Sequence, residues 1–271
     1  MGRSVTIGQY YPADSPIHRL DPRVKLLGTL VFLVTVFFIK NIDSFVLATA
    51  FLVLVIVLSR VPFRLMLKGM RAILAILVLT FVLSIFTVPG QPLAHLGALT
   101  ITREGLRTAL YMCMRLFYLV TGASIMTLTT TPAKLTDGME KGLRFLRVFH
   151  VPIHEIAMMM SIALRFIPIL MDELDRIMKA QKARGADFQS GGLITRVKGL
   201  IPILVPLFVS AVRKAEDLAN AMEARCYHGG EGRTRMKPLV YGKRDAAAYL
   251  LLAIYTAAVI LLGIFPLSAK L

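Results

Sequence analysis

Apolar runs of near-bilayer length, separated by short polar or proline-containing breaks, recur along the chain. The first covers Leu26 to Ile39 and the second Ser44 to Leu58, with the polar tetrad Lys40-Asn41-Ile42-Asp43 between them as a hairpin turn. Both fall short of the ~20 residues that a perpendicular membrane helix needs. They must therefore extend into their flanks, sit in thinned bilayer or pack inside a bundle. A third run, Ile73 to Val88, is stopped by Pro89-Gly90 and Pro92. A fourth covers Ala109 to Leu128 and a fifth Ala246 to Phe265. The pattern predicts an all-α integral membrane protein with about five transmembrane helices.

Between the fourth and fifth runs lies a long segment of different character. Ile153 to Met171 and Leu200 to Val212 are apolar enough to pass for spans. If both crossed, the loop between them would be extracellular, yet it carries Arg176, Lys179, Lys182, Arg184, Arg196 and Lys198. Arg165 would also sit in mid-helix, at about 2.5–3.5 kcal/mol on insertion scales. The pattern favours long amphipathic helices lying under the membrane, with a seven-span topology as the alternative. The expected organisation is residues 1–128 for the N-terminal segment and four spans, 129–244 for a cytoplasmic domain, and 245–271 for the last span.

Composition sharpens this. Of 271 residues 56% are hydrophobic, yet 32 Lys and Arg stand against 16 Asp and Glu, a formal charge of +16. Nucleic-acid binders share the charge but not bilayer-length apolar runs, so no nucleic-acid partner is expected. More than half of the basic residues lie between Thr129 and Arg244, while the turn after the first run has only Lys40. The positive-inside rule then places the N-terminus and the long segment in the cytoplasm and the C-terminus outside. No cleavable signal peptide is read in Met1 to Lys25, which is polar and contains Pro12, Pro16 and Pro22. Cys113 and Cys226 are too far apart to suggest a disulfide framework or a metal site.

The two amphipathic helices echo one another. Each contains Ile-Pro-Ile-Leu, at Ile167 to Leu170 and Ile201 to Leu204. Each closes on a matched pattern, Ala180-Gln181-Lys182-Ala183-Arg184-Gly185 and Ala221-Met222-Glu223-Ala224-Arg225-Cys226. The paired alanines share one helix face, where a backbone can come close, and an arginine follows at once. Apolar stripes at Met171, Leu174 and Met178, and at Ala211, Ala215, Leu218 and Met222, suit two helices packed on each other. Gly185 is a natural left-handed helix stop. A single arginine at a helix end is commonly no more than dipole complementation; two matched copies argue for a shared task, such as meeting a carboxylate in a fork geometry.

These paired motifs resemble those of the energy-coupling-factor (ECF) transporter transmembrane component, the CbiQ-like T-component family. The N-terminal stretch Ile7-Gly8-Gln9-Tyr10-Tyr11-Pro12, followed by Ser15-Pro16-Ile17-His18-Arg19-Leu20-Asp21-Pro22-Arg23-Val24-Lys25, is similar to that family's N-terminal segment. The resemblance runs in order over essentially the whole chain. It implies a non-catalytic scaffold of an ATP-driven vitamin or micronutrient importer. It further implies that coupling helices dock onto two cytoplasmic ATP-binding subunits (A and A′), while the membrane part holds a substrate-binding S component. ATP and Mg would be bound by the partner ATPases, with no cofactor or metal in this chain. The docking residues it implies are Ala183, Arg184 and Gly185 in the first motif and Ala224, Arg225 and Cys226 in the second. Cys226 stands where the family motif has Gly, so that helix is expected to continue, towards Gly229-Gly230.

The residues alone leave other classes open. The chain has no phosphate-binding loop of the form G-x-x-x-x-G-K-[ST]. His150, His154 and Glu155 have the wrong order for a zinc helix and no third ligand, so a surface role is expected. Asp172, Glu173 and Asp175 suit a polar helix face better than an enzyme site. An autonomous secondary transporter or channel remains the alternative, although Arg115 is the one charge read within the spans; it is expected to face the bundle or a partner rather than snorkel outward. Pro168, Pro202 and Pro206 read equally as hinges or as helix starts, and Met158 to Met160 as core or as an adaptable greasy surface.

Overall fold

The computed structural model describes residues 10–39, 41–96, 99–142, 148–186, 192–229 and 239–265. Among them are eight helices: α1 (Pro22–Phe38), α2 (Ile42–Ser59), α3 (Phe63–Thr87), α4 (Arg103–Thr129), α5 (Pro132–Gly142), α6 (Ile153–Ala183), α7 (Leu193–Glu223) and α8 (Lys243–Ile264). A short antiparallel hairpin, β1 (Pro92–Leu96) with β2 (Leu99–Thr102), joins α3 to α4. The all-α membrane class holds, with this hairpin and α5 as additions that the apolar pattern did not disclose. Except for α6, the helices that carry the apolar runs also start earlier than those runs. Length and apolar composition suffice for α2, α4, α6 and α8 to cross a membrane, and Ile73–Thr87 of α3 forms a shorter apolar stretch.

Two compact units divide the chain, one built from residues 6–142 and 239–271 and the other essentially from 143–238. The first is a helical bundle of α1–α5 and α8. Its starts are set by local chemistry. Asp21 caps α1 by accepting from the Arg23 N–H at 2.9 Å, with Pro22 at the first helical position. Thr102 caps α4 by accepting from the Gly105 N–H at 3.0 Å, and its hydroxyl donates to the Val88 carbonyl at 2.7 Å, closing the hairpin.

Inside the bundle, Phe32 and Val36 of α1, Phe45 and Leu52 of α2, Tyr118 and Ile125 of α4, and Tyr255 and Val259 of α8 share one core. Gly122 of α4 makes this possible. A Cβ there would come within 2.9 Å of the Phe32 ring. Tyr255 stacks on Phe51 at 4.2 Å and its hydroxyl meets the Thr35 hydroxyl at 3.2 Å, so the phenol is satisfied inside the bundle. Arg115 turns inward, as expected. One of its terminal nitrogens donates to the Ile39 carbonyl at 3.0 Å, a helix-end acceptor left over at the close of α1. The outer faces stay apolar and exposed, with Phe37, Phe38, Val46 and Leu250 uncovered. Such a surface suits hydrocarbon rather than water.

The second unit is the helix pair α6 and α7. Only Ala157 and Ile203 are buried hydrophobics there among the described residues. Half-buried Met171, Leu174 and Met178 line one face of α6, with Asp172, Asp175, Arg176 and Lys179 exposed, which matches the expected stripe. On α7 the half-buried row is Ala211, Lys214, Leu218 and Met222, while Ala215 is exposed. Lys214 displaces Ala215 from the contact because its ammonium lies 3.8 Å from Glu173 of α6 and its stem can cover apolar surface.

Candidate functional site

The two arginine motifs end their helices in the same way. In α6 the Gly185 N–H donates to the Lys182 carbonyl at 3.0 Å and the Ala186 N–H reaches back to the Gln181 carbonyl at 3.0 Å. In α7 the Cys226 N–H donates to Glu223 at 2.8 Å and the Tyr227 N–H to Met222 at 3.1 Å. Both are paired 5→2 and 6→1 bonds around a left-handed residue, the Schellman closure. The left-handed positions are Gly185 at φ 85° and Cys226 at φ 53°. The expectation that the second helix would run on past Cys226 is therefore corrected. It stops at Glu223 because Cys226 takes the glycine's conformation.

The consequence is equivalent presentation. Ala183, Arg184 and Gly185 are all exposed, and so are Ala224, Arg225 and Cys226. Among the described residues neither Arg184 nor Arg225 has an ion-pair partner. Each guanidinium follows at once on a small residue and precedes a chain reversal, so an incoming acidic group meets little steric obstruction.

The contacts between α6 and α7 fix how the motifs are spaced. Gln181, near the end of α6, donates to the Pro202 carbonyl at 3.3 Å, and Glu173 pairs with Lys214. Residue numbers rise on one helix as they fall on the other, so the pair is antiparallel. Arg184 thus lies level with the Pro202 region, and Arg225 lies at the far end of α7, about 35 Å away by helix rise. The two motifs are not brought together. They stand at opposite ends of the helix pair.

The prolines take part in this. Pro168 lies inside α6 and Pro202 and Pro206 inside α7, so the helix-start reading is overturned. Pro206 has no N–H for the carbonyl four residues back, which is that of Pro202. That freed carbonyl is the acceptor used by Gln181 of the first motif. The remaining apolar surface is open. Met159, Met160, Ile201, Leu204, Val205 and Phe208 are all exposed large hydrophobics. His150, His154 and Glu155 form no metal-type cluster with a further ligand among the described residues.

A second polar site, at the ends of α1, α4 and α8, was only partly visible in the sequence. Lys25 of α1 is buried and donates to the carbonyls of His18 at 3.2 Å and Thr129 at 3.0 Å. His18 is held between Tyr11 and Ser15. Its Nε2 must carry the proton that goes to the Tyr11 carbonyl at 3.0 Å, leaving Nδ1 to accept from the Ser15 hydroxyl at 2.7 Å. Burial pushes its pKa below the ordinary histidine value, although the Tyr11 carbonyl opposes the shift. Asp245, also buried, accepts the Gly242 N–H at 2.8 Å, capping α8, and the Asp21 N–H at 2.8 Å, tying α8 to the start of α1. Arg23 lies over the Tyr241 ring at 4.8 Å and donates to the Leu239 carbonyl at 3.2 Å. Asp245 and Thr129 escaped the sequence reading because each also acts on a residue more than a hundred positions away, which no local pattern marks.

Residues 13–236, which contain the N-terminal polar residues, both arginine motifs and the intervening helices, match the family described as cobalt transport protein, CbiQ. The chain belongs to the CbiQ family. Relatives within it include the energy-coupling factor transporter transmembrane protein EcfT of Thermosediminibacter oceani, 51% identical over 248 residues, or 92% of this chain and 94% of that one. EcfT of Clostridium kluyveri is 51% identical over 252 residues, covering 92% and 93% of the two chains. EcfT of Bacillus subtilis is 46% identical over 255 residues, covering 94% and 96%. The CbiQ-family chain is accordingly a multi-pass membrane protein and the transmembrane component of an ECF-type transporter.

Proposed function

We propose that the chain is the scaffold through which two cytoplasmic ATPases drive a substrate-binding S component in the uptake of a vitamin or micronutrient. The observation that carries this is the pair of identically capped, exposed arginine motifs at opposite ends of an antiparallel helix pair. A helix pair with two equivalent ends suits two related partners. Arg184 and Arg225 each insert into an acidic groove of one ATPase, with Ala183, Gly185, Ala224 and Cys226 allowing close approach. ATP and Mg are held by the ATPases, and this chain hydrolyses nothing. Opening and closing of the ATPases moves the two ends of the α6–α7 pair, and that motion reaches the S component.

Arg165 of α6, exposed among neighbours apolar enough for a span, favours an α6–α7 pair on the cytoplasmic side, with five spans, the N-terminus inside and the C-terminus outside. The uncovered apolar residues Ile201, Leu204, Val205 and Phe208 suit an S component or the lipid boundary. Arg184→Glu or Arg225→Glu in the purified chain should weaken ATPase binding by on the order of tenfold or more, with helix content unchanged. Full binding by the double variant would refute the assignment of these residues.

A further inference from the structure

Next to the N-terminal polar site the bundle carries a cleft of about 290 Å³ lined by Asp14, Ser15, Pro16, Arg19, Arg60 and Arg244. Three chain segments supply its three guanidiniums: the stretch before α1, the left-handed residue that ends α2 (Arg60, φ 54°), and the first turn of α8. Asp14 is the one carboxylate in the lining, and it is committed to Arg19 in a two-pronged ion pair. Its pKa lies below the usual carboxylate range, first through that hydrogen bond and then through the fields of Arg19, Arg60 and Arg244. Arg60 has only a 3.4 Å bond to the Asp14 carbonyl, and Arg244 has no ion-pair or hydrogen-bond partner among the described residues. Two forked cations are left facing one cleft, a geometry suited to phosphate oxygens.

A second cavity, about 120 Å³ and almost wholly apolar, lies against the same three segments. Its lining includes Ile17 and Leu20, which flank Arg19 in the chain. It includes Ala248 and Leu251, one and two turns along α8 from Arg244. It includes Leu52 and Val55, just before Arg60 on α2. Gly28 of α1 also lines it, and a Cβ there would meet nothing within 4 Å. The arginine cleft and the apolar groove thus draw on the same three segments, and Ala248 and Leu251 lie on the Arg244 face of α8.

We propose that this composite site holds one anionic phospholipid, with its phosphate between Arg60 and Arg244 and an acyl chain in the groove beside Ala248. A free anion would use the cleft alone, and an uncharged lipid the groove alone. A zwitterionic phospholipid fits both but brings its ammonium up to the arginines, whereas a lipid of net negative charge matches both without that repulsion, and such lipids are what basic residues at helix ends meet in a membrane. The site is independent of the ATPase-docking motifs.

The test uses the full-length chain in detergent, delipidated, with native mass spectrometry and the unfolding midpoint as readouts. Phosphatidylglycerol should bind as a single molecule, on the order of tenfold tighter than phosphatidylcholine of the same chains, and raise the midpoint. Arg60→Gln with Arg244→Gln should abolish that preference; both side chains are exposed, so folding should survive their loss. Ala248→Phe, which fills the groove, should weaken phosphatidylglycerol while leaving any binding of inorganic phosphate unchanged. Equal binding of the two lipids, or a preference that survives the double variant, would overturn the proposal. So would inorganic phosphate that reproduces the whole shift, or a double variant that keeps the lipid preference but loses a protein partner.

Discussion

Cys226 does a glycine's work with a side chain attached. A left-handed residue other than glycine costs about 1–2 kcal/mol, partly offset because glycine loses more backbone freedom on folding. Cys226→Gly should therefore stabilise the end of α7 by up to about 1 kcal/mol, measured as a higher unfolding midpoint, without weakening ATPase docking. A lower midpoint would mean that the cysteine side chain contributes packing not evident from its exposure. His18 provides a pH signature. Its folded pKa is depressed, so the unfolded chain binds the proton more readily. The stability it contributes is full above about pH 6.5, the ordinary histidine value, and is lost as pH falls from there through the folded pKa. The unfolding midpoint should fall on that acid limb in the wild type, and the limb should flatten in His18→Gln. An unchanged limb would assign the acid sensitivity to other groups.

At the scale of elements, the apolar runs located the membrane helices because burial in hydrocarbon demands unbroken apolar length. The helix starts were legible less well. Phe63 begins α3 and Arg103 begins α4 ahead of their apolar stretches, since helix termini are set by caps such as Thr102 and not by hydropathy. The ends of α6 and α7 were half legible. Gly185 announces its own left-handed turn, whereas Cys226 does not, and only the backbone bonds reveal the shared closure. The prolines in α6 and α7 left two readings open, because the same residue suits a first turn and a helix interior, and the structure selects the interior. Asp245 was not legible at all: its cap on Gly242 is local, but its bond to the Asp21 N–H spans nearly the whole chain. Asp245→Ala should cost about 2–3 kcal/mol by removing the cap and orphaning a buried N–H. Asp245→Asn should recover part of that; a midpoint unchanged in Asp245→Ala would show that the α1–α8 tie is not needed.

On the scale of the whole molecule, the role proposed for this basic, apolar chain is to transmit force generated elsewhere. Its arginine motifs are equivalent in backbone and exposure, neither arginine has an ion-pair partner among the described residues, and they lie at opposite ends of one antiparallel pair. An autonomous transporter would have no need of that arrangement. Affinity isolation of the chain from its native membrane in mild detergent, with bound proteins identified and assayed for ATP hydrolysis, distinguishes the two. Recovery of two related ATPases and a small hydrophobic protein, with the ATPases lost on Arg184→Glu plus Arg225→Glu, is the predicted result. Recovery of the chain without any ATPase, or of ATPases indifferent to both charge reversals, would contradict it.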